Sequence, residues 1–209
     1  MDPTTVYFEP YLEISELYDF TFSPIIDICK ILQIKSSEEI MLVKNIYEYV
    51  RDKINHTADT NEQNVTCSAS EVISYKHAIC CAKANLFAAL LRYFNIPVGF
   101  CYQKLKSNNQ SGFVLHGLNA VYLREYGKWF RLDVGGIKKE SNAQFSLDEE
   151  KLAYKVNKSI GEVDHSTIFA KPNPTVIEVM KKAKNREDLW IYWSLTLSAV
   201  FNEEKVSVE

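Results

Sequence analysis

Glycine and proline are scarce in this sequence, at 7 and 6 of 209 residues. No stretch is of low complexity, so we expect no disordered linker and predict one domain over residues 1–209. An excess of one charge sign is missing as well, since 24 basic residues stand against 27 acidic ones. This balance excludes the basic surface of a nucleic-acid-binding protein and the polybasic signal of a membrane-surface protein.

Long hydrophobic runs are also absent. The longest, such as residues 86–91, fall far short of the roughly 20 residues needed to cross a bilayer. The first ten residues lack the charged and apolar regions of a signal peptide. We therefore predict a cytoplasmic protein without a membrane partner, and we leave its oligomeric state open.

Cysteine is present in an odd number, five, and without a CxxC pair. An odd count in a chain without an export signal argues against a disulfide framework. The four histidines show no HxxxH spacing, so we predict no metal site and no cofactor. The ordinary interpretation of any one of these cysteines is a small buried hydrophobe.

The first quarter of the chain is mainly helical in its periodicity. A strand-like start at residues 6–14 is followed by a predicted helix at residues 24–32. Ser37 and two glutamates then precede apolar residues with helical spacing, which predicts a second helix through Ile54.

A polar loop and two further helices come next. Residues 56–66 are polar and rich in asparagine, and His56 is interpreted as a loop or helix-end residue. Ser68 and Glu71 fit a capping box that begins a short helix. The most apolar helix is predicted at residues 80–94, where almost no polar face remains, so that it should be buried nearly all round.

Beyond Pro97 the periodicity changes to that of strands. Strand-like stretches lie at residues 98–102, 114–121, 129–134, 151–156 and 166–170. Gly127 separates the second of these from the third, which predicts a hairpin. Helices are predicted again at residues 176–184 and 188–200. The predicted class is α+β, with helices first, a central antiparallel sheet and a helical tail.

Three residues in this arrangement could form a nucleophilic site. Cys80 lies at the predicted start of the most apolar helix, where the helix dipole and free N–H groups lower the pKa of a thiol. His116 follows 36 positions later on a predicted strand, and Asp133 lies 17 positions beyond it on the next strand of the hairpin. A histidine serves a thiol as base when a carboxylate fixes its tautomer. Whether both side chains point to the same side of the sheet is left open by the sequence.

These segments resemble the nucleophile, histidine and aspartate segments of transglutaminase-like proteins. The resemblance is carried by AICCAKANL at residues 78–86, LLRYFNIPVG at 90–99, HGLNAVY at 116–122 and WFRLD at 129–133. VRDKINH at residues 50–56 and GFCYQ at 99–103 are similar to a bacterial subfamily of predicted transglutaminase-like cysteine proteases. The resemblance implies a papain-like, transglutaminase-core fold, with the nucleophile helix packed on a central antiparallel sheet.

By position, the resemblance implies that Cys80 is the nucleophile, His116 the general base and acid, and Asp133 the orienting carboxylate. The family spacing, counted back from Arg92, selects Cys80 over the adjacent Cys81. Three positions depart from the family pattern: Ala78 and Asn95 stand where glycine is usual, and Leu118 where tryptophan is common. Asparagine is tolerated in place of glycine because it also enters the left-handed region.

The oxyanion hole is less clearly indicated. The backbone N–H of Cys80 or Cys81, at the helix start, is the most economical donor. A second donor could come from residues 64–70 or from Gln103, although Gln103 also fits the role of a strand-end residue.

The leading functional hypothesis is acyl transfer through a thioester at Cys80. Water as acceptor gives a peptidase or amidase acting on a peptide or amide substrate, and an amine gives a transglutaminase. An arylamine N-acetyltransferase-like enzyme is the alternative, although its usual Arg-Gly-Gly-x-Cys start differs from residues 76–80 here. A non-catalytic interaction module that retains the fold is the third possibility. Papain itself is disfavoured because its histidine follows the cysteine at a much greater distance.

Overall fold

The computed structural model describes residues 7–36, 38–107, 112–135, 137–138 and 141–201. Its α-helices are α1 Glu9–Leu12, α2 Ser23–Ile34, α3 Glu39–Lys53, α4 Ala69–Tyr75, α5 Cys80–Tyr93, α6 Pro174–Lys182 and α7 Arg186–Phe201. Its strands are β1 Asn55–His56, β2 His77–Ala78, β3 Val98–Lys106, β4 Phe113–Leu123, β5 Lys128–Leu132, β6 Ile137–Lys138, β7 Ser141–Asn142 and β8 Val163–Asp164. The α+β class predicted from the periodicity is confirmed.

The main sheet has four antiparallel strands in the order β5-β4-β3-β8. The predicted hairpin around Gly127 is present, with Leu123 opposite Lys128 and Asn119 opposite Leu132. Gly127 has a φ of +63°, in the left-handed region that glycine enters without steric cost. Two small sheets complete the set: β1 pairs with β2 in parallel, and β6 pairs with β7.

Helix α5 lies at the centre of the fold. Every residue from Cys80 to Arg92 is buried, as the lack of a polar face predicts. The helix packs against β3 and β4 on one side and against α3 and α4 on others. Its end is formed by Asn95, whose φ of +57° agrees with the expectation that asparagine replaces glycine there.

Local signals determine the neighbouring helices as well. The predicted capping box is present in α4: Ser68 Oγ accepts from the Glu71 N–H at 3.3 Å, and Glu71 Oε2 accepts from the Ser68 N–H at 3.0 Å. Helix α7 packs on β4, where Trp193 Nε1 donates to the Leu115 carbonyl at 3.2 Å. No helix in the described part of the chain is both long and apolar enough to span a bilayer.

Three predicted strands are wrong. The described part of residues 6–14 contains α1 instead, because Pro10 in the first helical turn favours a helix start. Residues 151–156 are irregular, and one of their amides, Ala153 N–H, bonds to the Asp133 side chain instead of to a strand. In residues 166–170, Phe169 makes only an isolated bridge to Phe100, and the strand at this edge is the earlier β8.

Two predicted features lie partly outside the described residues. Ser37, predicted to precede the second helix, lies outside the described residues. The residue directly before α3 is Glu38. The loops at residues 105–112 and 135–144, from which we expect specificity pockets, also include residues that the structure does not describe.

Candidate active site

Cys80 is the first residue of α5 and follows β2 almost directly. Ile79 is extended, with φ −75° and ψ 166°, and its carbonyl accepts the first bond of the helix, from the Lys83 N–H at 2.9 Å. The amides of Cys80, Cys81 and Ala82 precede that bond and point out of the helix start. The Cys80 sulfur therefore lies at the positive end of the α5 dipole, where a thiolate is stabilised.

The histidine strand crosses the start of this helix. Gly117 N–H, in β4, donates to Cys80 Sγ at 3.4 Å. The preceding residue, His116, is close enough to Cys80 that hydrogen bonding with the thiol helps to raise the pKa of the imidazole. Both residues are buried, with only 7% of Cys80 and 6% of His116 exposed. The structure thus brings together the thiol and the imidazole that the sequence places 36 positions apart.

Asp133 completes the arrangement from the residue directly after β5. Its Oδ2 lies 2.8 Å from His116 Nε2, so that Nδ1 is the ring nitrogen left for Cys80. The carboxylate also accepts the Gly135 N–H at 2.8 Å and the Ala153 N–H at 3.0 Å. It is 1% exposed, yet fully hydrogen-bonded, as a buried carboxylate must be.

The surroundings of His116 restrict its ring. The Tyr154 ring meets it edge-on, with 5.0 Å between the centroids. Gly135 lies on another side, where a β-carbon would stand 3.5 Å from His116 Cε1 and 2.9 Å from Asp133 Oδ1. The bond between His116 and Asp133 is thereby kept from water, which strengthens it.

The electrostatics of these groups favour a thiolate–imidazolium pair. A hydrogen bond from Cys81 lowers the pKa of Cys80 well below its ordinary value, and hydrogen bonds from His116 and His56 add to this, against the opposing effect of burial. Burial would lower the pKa of His116, but the charge and hydrogen bond of Asp133, together with Cys80, raise it to about 10. The pKa of Asp133 is lowered although burial opposes this, because His116 and two amides stabilise the charged form.

Cys81 has a different environment from Cys80. Its hydrogen bond to Cys80 and its burial raise the pKa of its thiol well above the ordinary value, so that it donates as a neutral S–H. Burial also raises the pKa of Cys29, Cys67 and Cys101 to about 12. Among the five free thiols, the charged form is favoured at Cys80 alone. The assignment of Cys80, and not Cys81, as the nucleophile stays a prediction.

The oxyanion-hole candidates lie on different elements, α5 and β3. The amides of Cys80 and Cys81 lie at the helix start, beside the sulfur. Gln103 lies opposite His116 in the β3–β4 register, so its side chain shares the sheet face of His116. It is 1% exposed, and its Oε1 has no hydrogen-bond partner among the described residues. A role for Gln103 in the oxyanion hole stays a prediction.

Sequence reasoning missed the position of His56. This residue ends β1, and β1 pairs with β2 so that His56 lies opposite Ala78, two residues before Cys80. Its ring is close enough to Cys80 that hydrogen bonding between them helps to lower the pKa of the thiol. A two-residue strand has no periodicity that could indicate this pairing. The one available signal was that His56 ends the segment VRDKINH, which belongs to the family resemblance.

Other candidate sites in the described residues lie elsewhere or are absent. A cavity of about 460 Å³ is lined by Tyr18 and Arg92, among others. Arg92 and Cys80 are at opposite ends of α5, so this cavity is separate from the thiol. Within the described ranges, no group of three or more His, Cys, Asp or Glu residues could hold a metal ion.

Comparison with known proteins identifies the family of the chain. The family model described as the transglutaminase-like superfamily matches residues 30–134, about half of the chain, a range that contains Cys80, His116 and Asp133. No curated protein matches the chain.

Two solved structures are similar to the chain in part. One is a candidate cysteine protease from Cytophaga hutchinsonii, with a TM-score of 0.49 and 20% identity over 60% of this chain and 41% of that one. The other is described as a TGase, with a TM-score of 0.39 and 19% identity over 57% of this chain and 34% of that one. The chain thus spans about two fifths of the first structure and one third of the second.

Proposed function

Since the chain belongs to the transglutaminase-like superfamily, we propose that it is a cysteine-dependent acyl-transfer enzyme. Cys80 is its nucleophile, His116 its general base and acid, and Asp133 the carboxylate that orients His116. Its substrate is a peptide or amide, and hydrolysis through a thioester makes it a peptidase or amidase. The observation that carries this proposal is the hydrogen bond between His116 and Asp133, next to the Cys80 sulfur, which accepts from the N–H of the residue after His116.

The resting state is a thiolate paired with an imidazolium. Cys80 is ionised by hydrogen bonds and by the charge of His116, and His116 holds one proton on each ring nitrogen. Nε2–H donates to Asp133, which leaves Nδ1–H for the Cys80 sulfur. The ion pair therefore holds both the nucleophile and the proton that the leaving group needs.

Acylation uses both the thiolate of Cys80 and the proton of His116. The Cys80 sulfur forms a bond to the substrate carbonyl carbon, and the π-electron pair of the carbonyl moves onto its oxygen. When that pair returns, the C–N bond breaks and His116 gives the Nδ1 proton to the leaving amine. Asp133 stays charged throughout and stabilises the position of the ring. The products of this step are a thioester on Cys80 and a free amine.

Deacylation reverses the roles of the same groups. His116, now neutral, takes a proton from water as the water oxygen attacks the thioester carbonyl. The C–S bond then breaks, and the thiolate and the imidazolium are restored. An amine in place of water gives transamidation through the same acyl-enzyme, so the acceptor has to be identified by experiment.

The geometry supports catalysis over a non-catalytic module. A module that only retained the fold would gain little from a buried charged pair, because the desolvation of both charges can exceed the gain from their attraction. Here the buried carboxylate is hydrogen-bonded to the imidazole, and the imidazole lies next to the residue that donates to the thiol, which is the order that the chemistry requires.

A burst assay tests the proposal. Purified protein is mixed with an activated acyl ester, with a set of peptide amides and, separately, with acetyl-CoA, and the intact mass is recorded. We expect a burst of leaving group equal to the protein concentration and an acyl adduct on Cys80, absent in Cys80→Ala and retained in Cys29→Ala. No adduct on Cys80 with any acyl donor would contradict the proposal. A stable acetyl adduct from acetyl-CoA alone would instead identify an acetyl carrier.

A further inference from the structure

His56 is held beside the nucleophile by the pairing of two short strands. Asn55 N–H donates to the Lys76 carbonyl at 3.0 Å, and His56 lies opposite Ala78 in the β1–β2 register. Ala78 is two residues before Cys80, so this register determines the position of His56 along the chain direction relative to the start of α5. The ring is half-buried, and it is close enough to the Cys80 sulfur that hydrogen bonding between them helps to lower the pKa of the thiol.

Three side-chain hydrogen bonds hold the chain on either side of His56. On the N-terminal side, the buried Lys83 Nζ donates to the carbonyls of Ile54 at 2.8 Å and of Arg51 at 3.2 Å. On the C-terminal side, the Thr57 hydroxyl and His77 Nδ1 are 3.0 Å apart and hydrogen-bonded. Because Lys83 belongs to α5, the strand of His56 is attached to the helix of Cys80.

The hydrogen bonding of the His56 ring determines which nitrogen carries the hydrogen. Ala58 N–H donates to His56 Nδ1 at 3.2 Å, so Nδ1 is an acceptor and bears no hydrogen. A neutral imidazole with an acceptor at Nδ1 carries its hydrogen on Nε2. Nε2 is then the nitrogen left for Cys80, and it is a donor.

This arrangement makes His56 unsuitable as a base. A base needs a free lone pair, and the one on His56 is already occupied by the Ala58 N–H. His116 differs because its Nε2 faces the Asp133 carboxylate, which stabilises a second proton on the ring. The two histidines at the sulfur therefore have different capacities: one exchanges a proton, and the other donates a hydrogen bond.

We propose that His56 Nε2–H is a donor of the oxyanion hole, acting together with a backbone N–H at the start of α5. This inference rests on the proposed function. In the resting enzyme Nε2–H donates to the Cys80 thiolate. As the sulfur bonds to the carbonyl carbon, negative charge moves from the sulfur to the carbonyl oxygen, which is attached to that same carbon. Nε2–H follows the charge, and His56 keeps its proton throughout. An imidazole N–H held in place by packing is a donor of the kind that stabilises such an oxyanion.

The test compares a reaction that forms an oxyanion with one that does not. Acylation by an activated ester passes through a tetrahedral intermediate, whereas alkylation by iodoacetamide is a direct displacement at carbon. Both rates are measured for wild type, His56→Leu and His56→Gln, at a pH where Cys80 is ionised in every variant. Alkylation then reports an intact, accessible thiolate, and acylation reports the oxyanion hole.

For His56→Leu we expect acylation to fall about 100-fold or more, since removing one oxyanion donor costs about 10²–10³ in rate, while alkylation changes less than about threefold. In His56→Gln the side-chain amide restores a donor and should recover much of the acylation. Equal losses in both reactions, or acylation of His56→Leu within about threefold of wild type, would overturn the proposed role of His56. The proposed function would stand in either case. If wild type forms no acyl adduct at all, the proposed function fails, and the role of His56 fails with it.

Discussion

Gly117 lies so close to Cys81 that a β-carbon on Gly117 would stand 2.5 Å from the Cys81 sulfur. At the same place, Gly117 N–H donates to Cys80 Sγ. The start of α5 and the strand of His116 thus touch through a residue without a side chain. Because Gly117 follows His116 directly, this contact sets how closely the histidine approaches the nucleophile.

The first prediction concerns this contact. Gly117→Ala should destabilise the protein by about 1–3 kcal/mol, because the added methyl overlaps a buried sulfur. Removing that sulfur should relieve the overlap, since the nearest remaining Cys81 atoms would be its Cα at 3.4 Å and Cβ at 3.5 Å from the new carbon. Urea unfolding of wild type, both single variants and the double variant Gly117→Ala/Cys81→Ala measures the coupling. An equal cost of Gly117→Ala in both backgrounds would show that the contact is unimportant.

The second prediction separates the five thiols. Brief treatment with iodoacetamide at pH 7, followed by peptide mapping, should label Cys80 first, because its pKa is lowered and those of the other four cysteines are raised. The variant Cys101→Ala should be labelled like wild type, and Cys80→Ala should not be labelled at this position. Faster labelling of Cys81 than of Cys80 would reverse the assignment of the nucleophile.

The third prediction is the pH dependence of the thiol. The thiolate is the reactive form, so the rate of alkylation rises with pH through the pKa of Cys80, which lies well below its ordinary value. A free thiol of pKa about 8.5 is only about 0.3% ionised at pH 6, whereas Cys80 should already react rapidly there. In His116→Ala the rise should move to higher pH, because one hydrogen bond and one positive charge are lost. A wild-type rise centred near 8.5 would contradict the ion pair.

The fourth prediction concerns Asp133. Asp133→Asn should lower acylation about 10³–10⁴-fold, because the amide neither stabilises the imidazolium nor selects its tautomer. Burial alone would lower the pKa of His116, and Asp133 is the main cause that raises it to about 10. Without the carboxylate, this pKa should fall. The acylation rate of wild type should therefore decline near pH 10, where His116 loses its proton. The acylation rate of the variant should decline at a lower pH. Asp148→Asn, which changes an exposed carboxylate, is the control and should behave like wild type.

The fifth prediction concerns the buried Lys83. Burial lowers its pKa to about 8, below the value of about 10.4 expected in the unfolded chain. Between these values the unfolded state binds more protons, so this residue's contribution to stability is present at high pH and is lost as the pH falls toward 8. The free energy of unfolding of wild type relative to Lys83→Met should therefore increase from pH 8 to pH 10. A constant difference across this range would show that Lys83 titrates normally.

Much of the fold follows from local sequence. The apolar face of α5, the capping box of Ser68 and Glu71, the left-handed Asn95 and the turn at Gly127 are each indicated by residues within a few positions of one another. Periodicity, capping and backbone preference act over such distances, which is why these elements are where the sequence predicts them. The order of Cys80, His116 and Asp133 also follows from these elements.

Other features depend on contacts between distant segments. Only the tertiary structure shows that residues 151–156 supply an amide to Asp133 instead of forming a strand. Only it places His56 opposite Ala78, two residues before Cys80, because a two-residue parallel pairing has no signal of its own and needs α3, α4 and α5 already packed. By itself, the sequence determined the helix that carries Cys80 and the hairpin that carries His116, through local preferences. Which groups surround the sulfur, and which of them donate to it, was decided by packing.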